Sequence, residues 1–399
     1  LKNLRRYTGH GLRWIPVLEY LQMAGRAGRP SYDSSGQAIA VANTDAAKEE
    51  ITERYIKGKP EEIYSKLAVE PVLRTYVLSL IASGYVRSQK QLLEFFSRTF
   101  WAYQYEDMEK LELIILKVLH MLEEFEFIKM LDTSDFISAD EVYDYKIKPT
   151  LIGKRVAELY IDPLTANRFI QALKKASSSR ANEFSYLSIV CNSLEMRPML
   201  RIKTREYDDI QELLTKNELF ILEQVPSLYD PEYDDYLCSI KTTSMLLDWI
   251  SEKDEEFLLE KYSVRPGELS IKLAKADWLF YAAEELCKIL HFRDVLKDII
   301  RLRLRLKYGA KEELLALLRL RNIGRMRARR LFKNRIRDLG GIRNTDVSIL
   351  AQLIGKKTAI NIKEQVGQKV KAEDVKVKNN KRKGQLSLQD FRKKKKKNK

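Results

Sequence analysis

The chain has 399 residues, 45% of them hydrophobic, with 72 Lys and Arg against 56 Asp and Glu and a formal net charge of +16. This length fits roughly two to four domains with sizeable cores; there is no apolar run of roughly eighteen residues to cross a bilayer and no signal-peptide pattern, so a membrane partner is not expected. The charge points to a polyanion, and its placement is uneven: residues 371–399 alone carry a net +10, leaving +6 for the remainder. Cys191, Cys238 and Cys287 are scattered without paired spacing, and only three histidines are present. Buried thiols in a reducing cytoplasm are expected, and no metal site.

In chain order, Arg5-Arg6-Tyr7-Thr8-Gly9-His10-Gly11-Leu12-Arg13-Trp14 places aromatic and basic flanks around a small turn, the pattern of a β-hairpin. Glu19-Tyr20-Leu21-Gln22-Met23-Ala24-Gly25-Arg26-Ala27-Gly28-Arg29-Pro30 follows. Its glycines permit close backbone approach to an anion, and Arg26 and Arg29 offer planar, permanently charged forks that suit phosphate oxygens. A bare pair of this kind also fits a solvated basic turn. The full string resembles motif VI of superfamily 2 helicases, in the superkiller-like branch that includes archaeal Hjm and eukaryotic HELQ. The resemblance implies that Arg26 and Arg29 are arginine fingers toward ATP, with Gln22 at the same cleft. It also implies that the hairpin is a strand-separating pin, with Tyr7 and Trp14 stacking on bases beside Arg5 and Arg6. An ordinary surface hairpin with a half-buried aromatic pair is the alternative.

No G-x-x-x-x-G-K-[ST] phosphate loop and no DEAD-type acidic box occurs in the sequence. The expectation is therefore the C-terminal part of a helicase, with ATP and Mg2+ held mainly by a missing first motor domain or subunit.

Gln37–Ala42 reads as a buried strand closing a RecA-like sheet. Lys57-Gly58-Lys59-Pro60 marks a break. Leu111, Ile114, Ile115, Val118, Leu119 and Leu122 share one helix face, and Phe127–Leu131 and Tyr143–Ile147 read as two strands, together suggesting a winged helix. Leu151–Ala166 resembles the family's junction between winged helix and helical domain, where Lys154 and Arg155 either touch phosphate or are solvated. Residues 163–306 read as all-helical, with breaks near Pro198, Pro226 and Pro231. Arg265-Pro266-Gly267-Glu268-Leu269 opens a long helix on which Ile271, Lys275, Trp278 and Ala282 share a face. The resemblance implies a ratchet helix, with Trp278 stacking on a base and Lys272 and Lys275 holding phosphate; a core tryptophan is the alternative.

Residues 301–343 hold twelve arginines against Glu312, Glu313 and Asp338. Around Asn322-Ile323-Gly324 they read as a helix-hairpin-helix, in which the Gly324 turn and Arg325, Arg327 and Arg329 bind DNA backbone. Asn322 replaces the usual first glycine and tolerates left-handed geometry. In the low-complexity tail, Gln385, Leu388 and Phe391 resemble a box that binds the sliding clamp PCNA.

The fold class expected is mainly α: the end of a RecA-like α/β domain (1–46), a winged helix (47–150), a helical-bundle ratchet domain (151–308), a helix-hairpin-helix domain (309–370) and a disordered basic tail (371–399). The expected function is that of the C-terminal part of a 3′–5′ DNA helicase acting on single-stranded, forked or branched DNA in the archaeal cytoplasm and nucleoid. A noncatalytic, clamp-recruited DNA-binding scaffold is the alternative.

Overall fold

The computed structural model describes residues 1, 4–8, 11–28, 31–67, 70–105, 107–131 and 146–370. They divide into two compact units, Leu1–Pro163 and Leu164–Lys399. Arg29 and the expected clamp box at Gln385, Leu388 and Phe391 lie outside the described residues.

In the first unit, β1 (Arg5–Thr8) and β2 (Gly11–Trp14) pair antiparallel, with Arg5 opposite Trp14 and Tyr7 opposite Leu12. Helix α1 (Val17–Ala24) starts after Pro16, which supplies no side-chain cap. A distant carboxylate does so instead. The amides of Val17 and Leu18 donate to Glu61 Oε1 and Oε2 at 2.7 and 3.0 Å. A negative group there satisfies unpaired first-turn donors and meets the positive end of the helix dipole. These backbone hydrogen bonds, that from Val17 foremost, hold the Glu61 carboxyl below its ordinary pKa. Helix α2 (Asp45–Ile51), capped by Thr44, runs into a π-helical turn, Thr52–Ile56. The turn places Tyr55 beneath the hairpin, stacked on Tyr20 at 4.7 Å, with its hydroxyl donating to the Ile15 carbonyl at 2.7 Å. Leu4, Ile15, Val17 and Ile51 complete this small core.

Gln37–Ala42 departs from expectation. It is not a strand: Ile39 and Val41 are exposed, and among the described residues its backbone pairs with Leu1, through Leu1 N to the Ile39 carbonyl and Val41 N to the Leu1 carbonyl. An apolar run becomes a buried strand only where neighbouring strands flank it, and none of the described residues does so here.

Helices α3 (Glu70–Ala82), α4 (Gln89–Ser97), α5 (Phe100–Tyr105) and α6 (Met108–Glu124) precede β3 (Ile128–Leu131) and β4 (Lys146–Pro149). Leu111, Ile115, Val118, Leu119 and Leu122 of α6 are buried, as their spacing predicts. The second strand begins, among the described residues, at Lys146; Tyr143–Tyr145 lie outside them. Ser88 forms a further bridge to Lys146, and α7 (Leu151–Leu159), capped by Thr150, follows. Gly153 is needed because a Cβ there would collide with the Phe127 carbonyl at 1.9 Å. Arg74 of α3 forms a buried, two-point ion pair with Asp162, fastening the segment after α7 to the first helix.

The second unit is helical, as expected: α8 (Pro163–Ser178), α9 (Glu183–Cys191), α10 (Tyr207–Lys216), α11 (Tyr233–Ile250), α12 (Glu255–Tyr262), α13 (Pro266–Ile289) and α14 (Arg293–Tyr308). Every residue from Phe184 to Cys191 is buried, which makes α9 central. Burial pushes the Cys191 and Cys287 thiols up to about 12, the behaviour of inert core cysteines. Helix α14 ends at Gly309 with φ 59°, where a Cβ would meet the Trp249 indole at 2.5 Å. Trp249 Nε1 also donates to the Leu306 carbonyl at 2.7 Å.

The last module has its own core, including Leu314, Leu317, Leu331, Ile342, Leu350 and Ile362. It contains α15 (Leu315–Leu318), α16 (Arg325–Lys333), α17 (Leu339–Asn344), α18 (Val347–Ile354) and α19 (Lys356–Gln365). Asn322 takes the left-handed conformation read from its side-chain type, with φ 68°. A second helix pair, α18 and α19, turns at Ile354-Gly355. Its Ile-Gly-Lys-Lys-Thr-Ala repeats the small-and-basic spacing of Ile323–Ala328, a repeat the sequence reading missed.

Candidate nucleotide and nucleic-acid interface

Gln22 lies on the last turn of α1, and Arg26 follows in the turn after it; both side chains are exposed. Neither has a hydrogen-bond or ion-pair partner among the described residues, so the Arg26 guanidinium is available to an anion. Gly28 adopts φ 84°, and a Cβ on Gly36 would meet the Ala27 carbonyl at 2.1 Å, so the motif's backbone is folded tightly against the following loop. An exposed fork beside an exposed amide on a glycine-rich turn fits a phosphate-bearing ligand approached from outside.

The hairpin is less open than its sequence suggests. Arg5 sits 4.2 Å over the Trp14 ring and 3.5 Å from Glu50, while Arg54 covers the same indole at 5.6 Å. Trp14 also meets Tyr55 edge-on at 6.1 Å. It is therefore partly buried at the base of the hairpin, away from the turn. Arg6 pairs with Glu19 at 3.0 Å. On the second strand the exposed apolar group is Leu12, opposite Tyr7.

On α13 the expected face is corrected. Ala282 is fully buried, and Lys272, 3% exposed, donates to the Pro198 carbonyl at 2.7 Å. Burial draws the Lys272 ammonium below its ordinary pKa. Enclosed and spent on a carbonyl, it is not placed to hold a phosphate. Lys275 donates in the same way to Arg197 at 2.6 Å. Both lysines thus secure the Arg197–Pro198 loop. The accessible stripe runs through Ile271 and Ala274 to the partly buried Trp278. A basic residue following a Pro-Gly-Glu helix start gave no signal that its partner would be a loop almost 80 positions earlier in the chain.

The arginine-rich module is largely turned upon the protein itself. Arg325 lies 4.7 Å over Trp249 and donates to the Lys253 carbonyl at 3.1 Å. Arg329 bridges Glu252 and Glu313, at 2.7 Å from Glu252 Oε2 through Nε and 2.6 Å from Glu313 through Nη1. Those hydrogen bonds, Glu252's first, raise its pKa further above the ordinary guanidinium value. Desolvation pushes Glu252 up, but the Arg329 hydrogen bond and charge prevail, and its carboxyl ends below the ordinary value. Arg327 is exposed and donates to the Asn322 carbonyl at 2.8 Å, while nothing lies within 4 Å of a Cβ built on Gly324. The Gly324 turn and Arg327 therefore face open space, and Arg325 and Arg329 act as fasteners.

Residues 184–309 match the family model described as archaeal helicase, domain 4. The chain is 37% identical over 374 residues to the ATP-dependent DNA helicase Hel308 of Methanocaldococcus jannaschii, covering 92% of this chain and 28% of that protein. It is 38% identical over 389 residues to Hel308 of Thermococcus kodakarensis, covering 97% of this chain and 33% of the relative. With Hel308 of Pyrococcus horikoshii the identity is 35% over 377 residues, 93% of this chain and 50% of the relative. The chain is thus similar along most of its length to archaeal proteins named ATP-dependent DNA helicase Hel308, and over residues 184–309 to archaeal helicase domain 4. It spans between 28% and 50% of the length of these curated relatives. No described helix is long and apolar enough to cross a membrane.

Proposed function

We propose that this chain is the DNA-handling, C-terminal part of an ATP-dependent 3′–5′ DNA helicase that opens forked or branched duplexes. The observation that carries the reading is the turn bearing Arg26 and Gln22, both exposed and without a partner among the described residues, in a chain similar to Hel308 helicases along more than nine-tenths of its length. ATP with Mg2+ would supply the driving hydrolysis, bound mainly by a motor segment outside these residues. Arg26, with Arg29, stabilises the charge that develops on the transferred phosphoryl group, and Gln22 positions the nucleotide.

The hairpin parts the strands, with Tyr7 and the exposed Leu12 on its two arms and the Arg5–Trp14 pair bracing its base. Trp278 stacks on a base of the translocating strand, while Lys272 and Lys275 fix the loop beside its helix. The Gly324 turn and Arg327 hold DNA backbone; Arg325 and Arg329 orient them. The Gln385, Leu388 and Phe391 box recruits a sliding clamp, and the terminal lysines add nonspecific attraction to DNA in the archaeal nucleoid. The scaffold reading is not favoured, because the similarity extends to proteins named as helicases.

The test is strand displacement by the protein completed with its upstream motor segment. ATP-dependent release of one strand from a fork with a 3′ loading tail, and loss of release on Trp278→Ala, are expected. Absence of DNA-stimulated ATP hydrolysis in the completed protein would contradict the reading.

A further inference from the structure

The β3–β4 ribbon has one buried and one exposed face. Met130 and Ile147 pair across the buried face, whereas Lys129 lies directly opposite Lys148, and Leu131 opposite Lys146, on the exposed one. Directly opposed residues in an antiparallel pair share a face, so Lys129 and Lys148 hold like charges side by side, an arrangement that opposes pairing. Lys146 and Lys148 continue along one wall of an open groove of about 930 Å³, to which Arg87 and Lys154 also contribute. The Ile147 amide donates to the Arg87 carbonyl at 2.8 Å, and Ser88 bridges Lys146, which brings the loop before α4 against the ribbon. Among the described residues no Asp or Glu lines the groove, whose other polar groups are Ser83, Ser88 and Gln91. Among the described residues, the side chains of Arg87, Lys129, Lys146, Lys148 and Lys154 have no ion-pair partner.

Helix α6, which precedes the ribbon, is the element a winged helix ordinarily offers to DNA. Here it exposes Glu109, Glu112 and Glu124 against Lys110 and Lys117, and Lys117 is engaged by Glu70 at 3.5 Å. That face has no net attraction for a polyanion.

We infer that the groove at Arg87, Lys146, Lys148 and Lys154 is a binding site for the phosphate backbone of DNA, distinct from the α6 face. The inference rests on the helicase reading for its choice of DNA. A tracked backbone would offer one anion per nucleotide to cations spread along the groove and would relieve the Lys129–Lys148 repulsion. The contacts are to phosphate, so binding there is indifferent to base sequence.

The experiment is lysine acetylation of the intact chain, free and bound to a forked duplex, read site by site by mass spectrometry. Lys146, Lys148 and Lys154 should be protected by DNA, and Lys110 on α6 should not. In parallel, Lys146→Ala, Lys148→Ala and Lys154→Ala combined should reduce the slope of log affinity against log salt by roughly 2 to 3, one lost phosphate contact per lysine. The paired control Lys110→Ala with Lys117→Ala should leave the slope unchanged, and thermal melting checks that each variant is folded. DNA binding with unprotected groove lysines and an unchanged slope would overturn the groove while leaving the helicase reading standing. Failure of the intact chain to bind DNA at all would overturn both.

Discussion

The arginines of residues 301–343 and the lysines of the β3–β4 ribbon are all cations, and the fold engages them differently. Arg303 forks onto Asp277 at 2.8 and 3.1 Å, Arg305 reaches Glu183, Arg330 caps the Leu353 carbonyl at 2.8 Å, and Arg325 and Arg329 hold Trp249, Glu252 and Glu313. Among the described residues, the ribbon lysines have no such ion-pair partners. The difference follows from the side chains. A planar fork with five donors satisfies two acceptors at fixed geometry and is weakly hydrated, so it makes good internal bridges; a lysine ammonium is compact, strongly hydrated and happier in water or beside a mobile anion. Charge density along the sequence is thus a poor guide to where a polyanion binds, and unpaired charge in the fold is a better one.

Substitutions break the comparison in order of expected size. In the unit Leu1–Pro163, Arg74 is buried, and Arg74→Ala removes the cation from the buried Asp162 carboxylate. It should destabilise the protein by about 3–5 kcal/mol, read as a shifted denaturant midpoint. Arg329→Ala leaves Glu252 and Glu313 without their shared cation and should cost about 2 kcal/mol in the same measurement. Arg325→Ala removes the indole contact and a carbonyl hydrogen bond, for about 1–2 kcal/mol. Lys148→Ala sits at the other extreme. Stability should stay within about 0.5 kcal/mol or rise slightly as the Lys129 repulsion is lifted, while DNA affinity falls. An Arg329→Ala protein of unaltered stability, or a Lys148→Ala protein that unfolds, would invert the two roles.

The same contrast has a pH signature. Glu252 has its carboxyl held below the ordinary value, so the unfolded chain takes up its proton first. Its contribution is fully present above the unfolded carboxylate pKa, about 4.5, and is lost as pH falls through the lower folded value. Wild-type stability measured across that interval should therefore drop more steeply than that of Glu252→Gln.

Much of this arrangement was legible in the sequence. The Pro266 helix start, the helical run through the second unit and the left-handed Asn322 each rest on a local rule about one residue or one period, and local rules survive folding. Long-range partners do not announce themselves that way. Glu61 capping α1, Asp162 receiving Arg74 and Glu252 receiving Arg329 join positions 44, 88 and 77 residues apart. Trp14 and Lys272 look like interface residues by type, and packing has engaged both with the protein itself. Gln37–Ala42 reads as a buried strand because apolarity alone cannot supply the neighbours a strand requires. Of the groove lysines, Lys154 stands in a stretch whose resemblance marks it for phosphate contact, whereas Lys146 and Lys148, single lysines on a short strand, carry no motif.

We propose that Arg26 serves ATP chemistry while the rest of the chain handles DNA. The most direct test is Arg26→Ala in the protein completed by its motor segment, with DNA-stimulated ATP hydrolysis and fork binding measured side by side. Hydrolysis should fall by about 10³-fold or more while affinity for the fork is retained. Hydrolysis at the wild-type rate in that variant would contradict it.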